Sequence, residues 1–157
     1  MYYSKEMSQT QLPQPQLSQQ PHHHIHAKAM YLSCIDYRFV DATVNLVEQL
    51  EQCQCTDSFC LAGATLGNNK FPPWRQTFHE NLALAIKFHD IINVIFVEHM
   101  DCGAYKHIYG IQTPENGRRL HISNVALAAN YYKKQYPQIQ NWSGYLFHVD
   151  GSAEKIY

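Results

Sequence analysis

The chain has 157 residues, 45% of them hydrophobic, and its twelve basic and thirteen acidic side chains leave a formal net charge of −1. That size suits one compact domain, and the balanced charge argues against a nucleic-acid face or an electrostatic hold on membranes. No run approaches the ~18 to 20 apolar residues of a membrane span, and the first residues lack the apolar middle of a secretory signal. A cytoplasmic protein is the expectation, its five cysteines serving as free thiols, metal ligands or catalytic groups.

Residues 1–27 read as a flexible arm rich in Gln, Pro and His. Gln, Ser and Pro dominate residues 8–21 without a sustained apolar period, so too little surface can be buried to offset ordering. His22, His23, His24 and His26 follow, and a tract without fixed geometry reads as a polar lead-in rather than a metal site. Residues 28–157 read as a single α/β domain. Ala29–Ile35, Ser58–Ala62, Asn93–Val97 and Gly144–Val149 have the length and the β-branched or aromatic content of buried strands. Val44, Val47 and Leu50 recur at helical spacing behind Asp41, a plausible N-cap. Phe78, Leu82, Ala85 and Ile86 mark a second helix, and 122–132 a third. The alternation implies a mainly parallel central sheet of four or five strands flanked by helices. Turn chemistry marks Gly63–Trp74 and Gly110–Arg119 as long loops.

In such a sheet, ligands gather beyond the carboxyl ends of the strands. The first strand ends in Cys34-Ile35-Asp36-Tyr37-Arg38 and the third in His99-Met100-Asp101-Cys102-Gly103. Two thiolates and one neutral imidazole suit tetrahedral zinc with one position open, the mark of a catalytic site. Taken singly, a buried Cys34 is more often a small core hydrophobe and His99 a satisfied polar residue; the joint placement at two strand ends favours Cys34, His99 and Cys102 as ligands. Asp36 is open to three readings: a fourth ligand, a helix cap, or a carboxylate held ionised by Arg38 and able to accept a proton. Cys53, Cys55 and Cys60 lack an adjoining histidine and read as packing or surface thiols. Glu98 and Asp101 flank His99 and read first as solvated caps, with support of the ligands the alternative, and His148 can relay protons only if it faces the cleft.

These paired motifs, Cys-x-Asp-x-Arg and His-x-x-Cys-Gly in this order, resemble the β-class carbonic anhydrases, and the similarity extends loosely from Ala29 to Ile156. The resemblance implies a Zn2+ bound by Cys34, His99 and Cys102, an Asp36–Arg38 catalytic dyad, and reversible hydration of carbon dioxide to bicarbonate by zinc-bound hydroxide. It also implies a homodimer or higher homo-oligomer, and it leaves both an open site and a closed resting state with Asp36 as a fourth ligand as alternatives. Tyr37 stands where the family usually has serine, and Cys60-Leu61-Ala62-Gly63 where it has Arg-Asn-Ala-Gly. Those departures leave room for a same-fold zinc hydrolase of carbon disulfide or carbonyl sulfide. A non-catalytic zinc-binding protein is the rival, disfavoured because it has no use for the dyad.

Overall fold

In the computed structural model, residues 27–52, 55–111 and 113–157 are described; most of the arm, with its histidine tract, lies outside them, as does Cys53. The elements in chain order are β1 (Ala29–Cys34), α1 (Val40–Glu51), β2 (Thr56–Leu61), α2 (Thr65–Lys70), α3 (Pro72–His89), β3 (Asn93–His99), α4 (Gly103–Tyr109), α5 (Pro114–Lys133), β4 (Asn141–Phe147) and β5 (Ala153–Lys155). A 3-10 turn over Tyr37–Phe39 joins β1 to α1. The five strands form one sheet in the order β2-β1-β3-β4-β5, parallel throughout except for β5, which pairs antiparallel with β4. The α/β architecture expected from the sequence is therefore present.

Side chains on a strand alternate between faces, and here both faces are covered. Met30 and Leu32 of β1, with Val94 and Phe96 of β3, pack against Phe78, Leu82 and Ala85 of α3 and Val125, Ala128, Ala129 and Tyr132 of α5. The intervening Ala29, Ile95 and Val97 turn the other way, onto Val47 and Leu46 of α1 and Phe147 of β4. Gly144 in β4 is a close-approach position: a Cβ there would stand 2.5 Å from Val125 Cγ1 of α5. No helix among the described residues is long and apolar enough to cross a membrane.

Several boundaries differ from the sequence expectation for local reasons. The Gly63–Trp74 segment holds α2 and the start of α3, with Pro72 and Pro73 as the first helical residues, where a missing N–H costs nothing. Pro114 likewise opens α5, capped by the Thr113 side chain, which accepts from Asn116 N–H at 3.3 Å. Asp41 lies inside the first turn of α1 rather than capping it; the capping carboxylate is Asp36, which accepts from Arg38 N–H at the 3-10 turn.

Candidate metal site

β1 and β3 are parallel neighbours, paired from Ala29↔Asn93 to Ser33↔Val97, and beyond that rung they deliver Cys34 and His99 side by side. Cys102 follows at the N-terminus of α4, where its N–H donates to His99 O at 3.3 Å and folds the His-x-x-Cys turn back on itself. The three predicted ligands thus converge: Cys34 Sγ, Cys102 Sγ and a ring nitrogen of His99 all lie within 4.8 Å of one another. The sulfurs are 3.9 Å apart. Two thiolates each about 2.3 Å from a tetrahedral zinc would stand about 3.8 Å apart, so the spacing suits such an ion. His99 is buried, and its Nε2 has no hydrogen-bond partner in the structure, as expected of an imidazole nitrogen reserved for a metal.

The donors are electrostatically prepared. A hydrogen bond from Cys102 pulls the Cys34 thiol down to about 4 against the opposing effect of burial, assisted by His99 and by Gly63 N–H, which lies 3.4 Å from Cys34 Sγ. Cys102 is pushed up because it keeps the proton of the pair, and burial adds to this. Burial opposes charge on His99, but the hydrogen bonds and charges of Cys34 and Asp101 outweigh it and raise its pKa. The turn that presents Gly63 N–H carries Gly63 at φ 73° and Ala64 at φ 44°. A left-handed alanine costs on the order of 1–3 kcal/mol. It places Thr65 so that its N–H and hydroxyl both donate to Glu98, whose other oxygen pairs with His121 Nδ1 at 3.0 Å. Glu98 and His121 are buried, so Glu98 is an internal hydrogen-bond partner rather than a solvated cap.

Asp36 and Arg38 form a bidentate pair. Arg38 Nε donates to Asp36 Oδ1 at 3.0 Å and Nη2 to Oδ2 at 2.6 Å, holding the carboxyl down near 2. Asp36 Oδ2 stands 3.9 Å from His99 Nε2, yet the carboxylate is turned to Arg38 and is not part of the three-ligand group. Asp101 completes the surroundings. Its Oδ1 lies 2.8 Å from His99 Nδ1 and its Oδ2 accepts from Arg38 Nη1 at 2.6 Å. Sequence reasoning ranked Asp101 behind a solvated cap, although its place between His99 and Cys102 was the available signal. A cavity of about 310 Å³ opens beside Arg38 and Asp101, lined by Phe39, Phe147, His148 and Val149. His148 therefore faces the cleft, held from behind at 3.1 Å by Glu154, which Arg118 grips through two bonds of 2.9 Å. No second metal group forms among the described residues: Cys60 is a free thiol 3.4 Å from Ser33 Oγ, and Cys55, expected to be a thiol, is disulfide-bonded. Parity and compartment bear on how many cysteines pair, not on which.

No protein-family model matches the chain. It is 31% identical over 136 residues to the uncharacterized protein RC0076 of Rickettsia conorii, a match covering 83% of this chain and 73% of that protein. The chain belongs to the RC0076 family. An uncharacterized protein of Rickettsia bellii matches at the same identity, over 83% of this chain and 82% of its own length. Solved structures related to this RC0076-family chain include β-carbonic anhydrase isoform I of Trichomonas vaginalis, with a TM-score of 0.53 and 16% identity over 83% of this chain and 82% of that one. One of two tetrameric β-carbonic anhydrases from Sordaria macrospora has a TM-score of 0.56 and 13% identity over 83% and 80%. The β-carbonic anhydrase CafD of Aspergillus fumigatus has 0.53 and 13% over 98% and 99%. At these identities the likeness establishes the fold.

Proposed function

We propose that this RC0076-family protein is a zinc-dependent lyase of the carbonic anhydrase type, catalysing the reversible hydration of carbon dioxide to bicarbonate. Cys34, His99 and Cys102 would hold the ion, and Asp36 with Arg38 would act on the substrate water. The observation that carries the reading is the pair of sulfurs 3.9 Å apart facing a buried, unpartnered His99 Nε2, with an ionised carboxylate 3.9 Å from that nitrogen. Zinc, when bound, lowers the pKa of a water ligand from about 15.7 to about 7 and so supplies a nucleophile near neutral pH.

The chain's own residues do the rest. Arg38 keeps Asp36 ionised with Oδ2 3.9 Å from His99 Nε2, where the carboxylate would accept a hydrogen bond from the substrate water and so orient its attacking lone pair toward the substrate. Phe39, its ring 4.4 Å from that of His99, and Phe147 give the adjoining cavity an apolar wall suited to a small linear molecule of no net charge. His148 lines this cavity with its side chain partly exposed, a position from which it would pass the product proton outward. Ile35, Tyr37 and Val40 after β1 and Val149 after β4 are exposed apolar side chains that support a homodimer or higher homo-oligomer; light scattering on the eluting protein checks this, and a monomer at micromolar concentration rejects it.

The deciding experiment measures zinc content and carbon dioxide hydration on one preparation. One zinc per chain with hydration, retained zinc and a loss of about 10²- to 10⁴-fold in Asp36→Ala, supports the reading. A full zinc complement without hydration from about pH 6 to 9, the range that brackets ionisation of a zinc-bound water, rejects it. In that case, hydrolysis of carbon disulfide or carbonyl sulfide identifies a different substrate, and its absence a non-catalytic zinc protein.

A further inference from the structure

We propose that Asp101 is a positioning residue shared by the ligand set and the dyad: one oxygen fixes which nitrogen of His99 faces the cysteines, and the other anchors Arg38 against Asp36. The proposal rests on the metal reading above and assigns a role to a variable position of the second motif.

A carboxylate can only accept, so the 2.8 Å contact between Asp101 Oδ1 and His99 Nδ1 requires the hydrogen on Nδ1. The opposite tautomer would set two lone pairs face to face at that distance and put a hydrogen on Nε2, which makes no hydrogen bond in the structure. Asp101 thereby commits the Nε2 lone pair to the side where Cys34 and Cys102 stand. The turn enforces this, because the bond from Cys102 N–H to His99 O folds residue 101 back against the ring.

The second oxygen reaches the dyad. Arg38 is a long side chain, 46% exposed, that would otherwise be fixed at one end only. Its Nη1 is taken by Asp101 at 2.6 Å while Nε and Nη2 serve Asp36, so the guanidinium is clamped between two carboxylates. His99, Asp101, Arg38 and Asp36 form a ring that closes across the 3.9 Å gap from Asp36 Oδ2 to His99 Nε2. A disturbance at Asp101 is therefore felt both by the ligand and by the group that handles the proton, whereas one at Arg38 reaches only the dyad.

The test uses the full chain, metal-free and labelled in its imidazoles, with the His99 tautomer read from long-range proton–nitrogen spectra at alkaline pH where the ring is neutral. Zinc affinity is measured in parallel by chelator competition. Wild type should show Nδ1–H. Asp101→Ala should lose that preference and bind zinc about 10- to 100-fold more weakly. Asp101→Asn retains an acceptor oxygen and should restore the tautomer and most of the affinity. Arg38→Ala should leave both at wild-type values while hydration falls. A wild-type tautomer and affinity in Asp101→Ala, or a His99 tautomer disturbed as much by Arg38→Ala, would overturn the proposal. Should wild type bind no zinc, the metal reading fails, while the tautomer comparison still decides what Asp101 does.

Discussion

Replacing Cys102 by serine removes one of three converging donors and tests the metal site through stability rather than turnover. An ion that binds only the folded chain stabilises it by about 2.7 kcal/mol when free zinc is 100 times its dissociation constant. For a domain of this length each kcal/mol moves the melting temperature by about 2–4 °C, so zinc should raise that of the stripped wild type by about 5–11 °C. In Cys102→Ser the sulfur 3.9 Å from Cys34 is gone, and two donors cannot close a tetrahedral site, so the rise should collapse. The comparison is made within each protein by calorimetry with and without zinc. The serine's own effect on the buried site then cancels, as does any zinc taken up by the histidines of residues 22–26, which both proteins share. An equal zinc-induced rise in wild type and variant would refute the ligand assignment.

Three further outcomes are expected. Arg38 holds Asp36 near 2 rather than 3.8, so its contribution to stability is present above pH 3.8 and is lost as pH falls toward 2; the stability gap between wild type and Arg38→Ala in urea melts should shrink over that window, and a gap that widens on acidification contradicts the pairing. Gly144→Ala drives a methyl to 2.5 Å from Val125 Cγ1 and should cost about 1–3 kcal/mol, measurable as a lower denaturation midpoint. Glu98→Ala leaves buried His121 and Thr65 without their shared acceptor and should cost about 3–5 kcal/mol, whereas a loss under ~1 kcal/mol would show the network to be dispensable.

The sheet was legible because its strands are short apolar runs with two-residue alternation, and four of the five strands fall where those runs do. β5 was not, since Ala153–Lys155 is only three residues long with two of them charged, and it exists by pairing with β4. α2 hid behind glycine and asparagines: Thr65, Leu66, Gly67 and Asn68 are all buried, and packing against neighbouring elements overrides their weak helix propensity. Of the site, the meeting of Cys34, His99 and Cys102 could be read because residue type and strand-end position are both sequence properties. The Asp101 clamp could not, because it depends on a turn folding one carboxylate between a ring and a guanidinium that lie 63 residues apart in the case of Arg38.

The last rung joining β1 to β3 has a material consequence for the candidate metal site. Neighbouring strands sit about 4.8 Å apart whatever their side chains do, so the ladder beneath them spaces the two strand ends from which Cys34 and His99 project. The socket is thus machined by the backbone before anything fills it, unlike small zinc modules that collapse when stripped. A zinc ion held there as proposed would leave to a chelator and return, or be replaced by cobalt as a coloured reporter, without the chain unfolding.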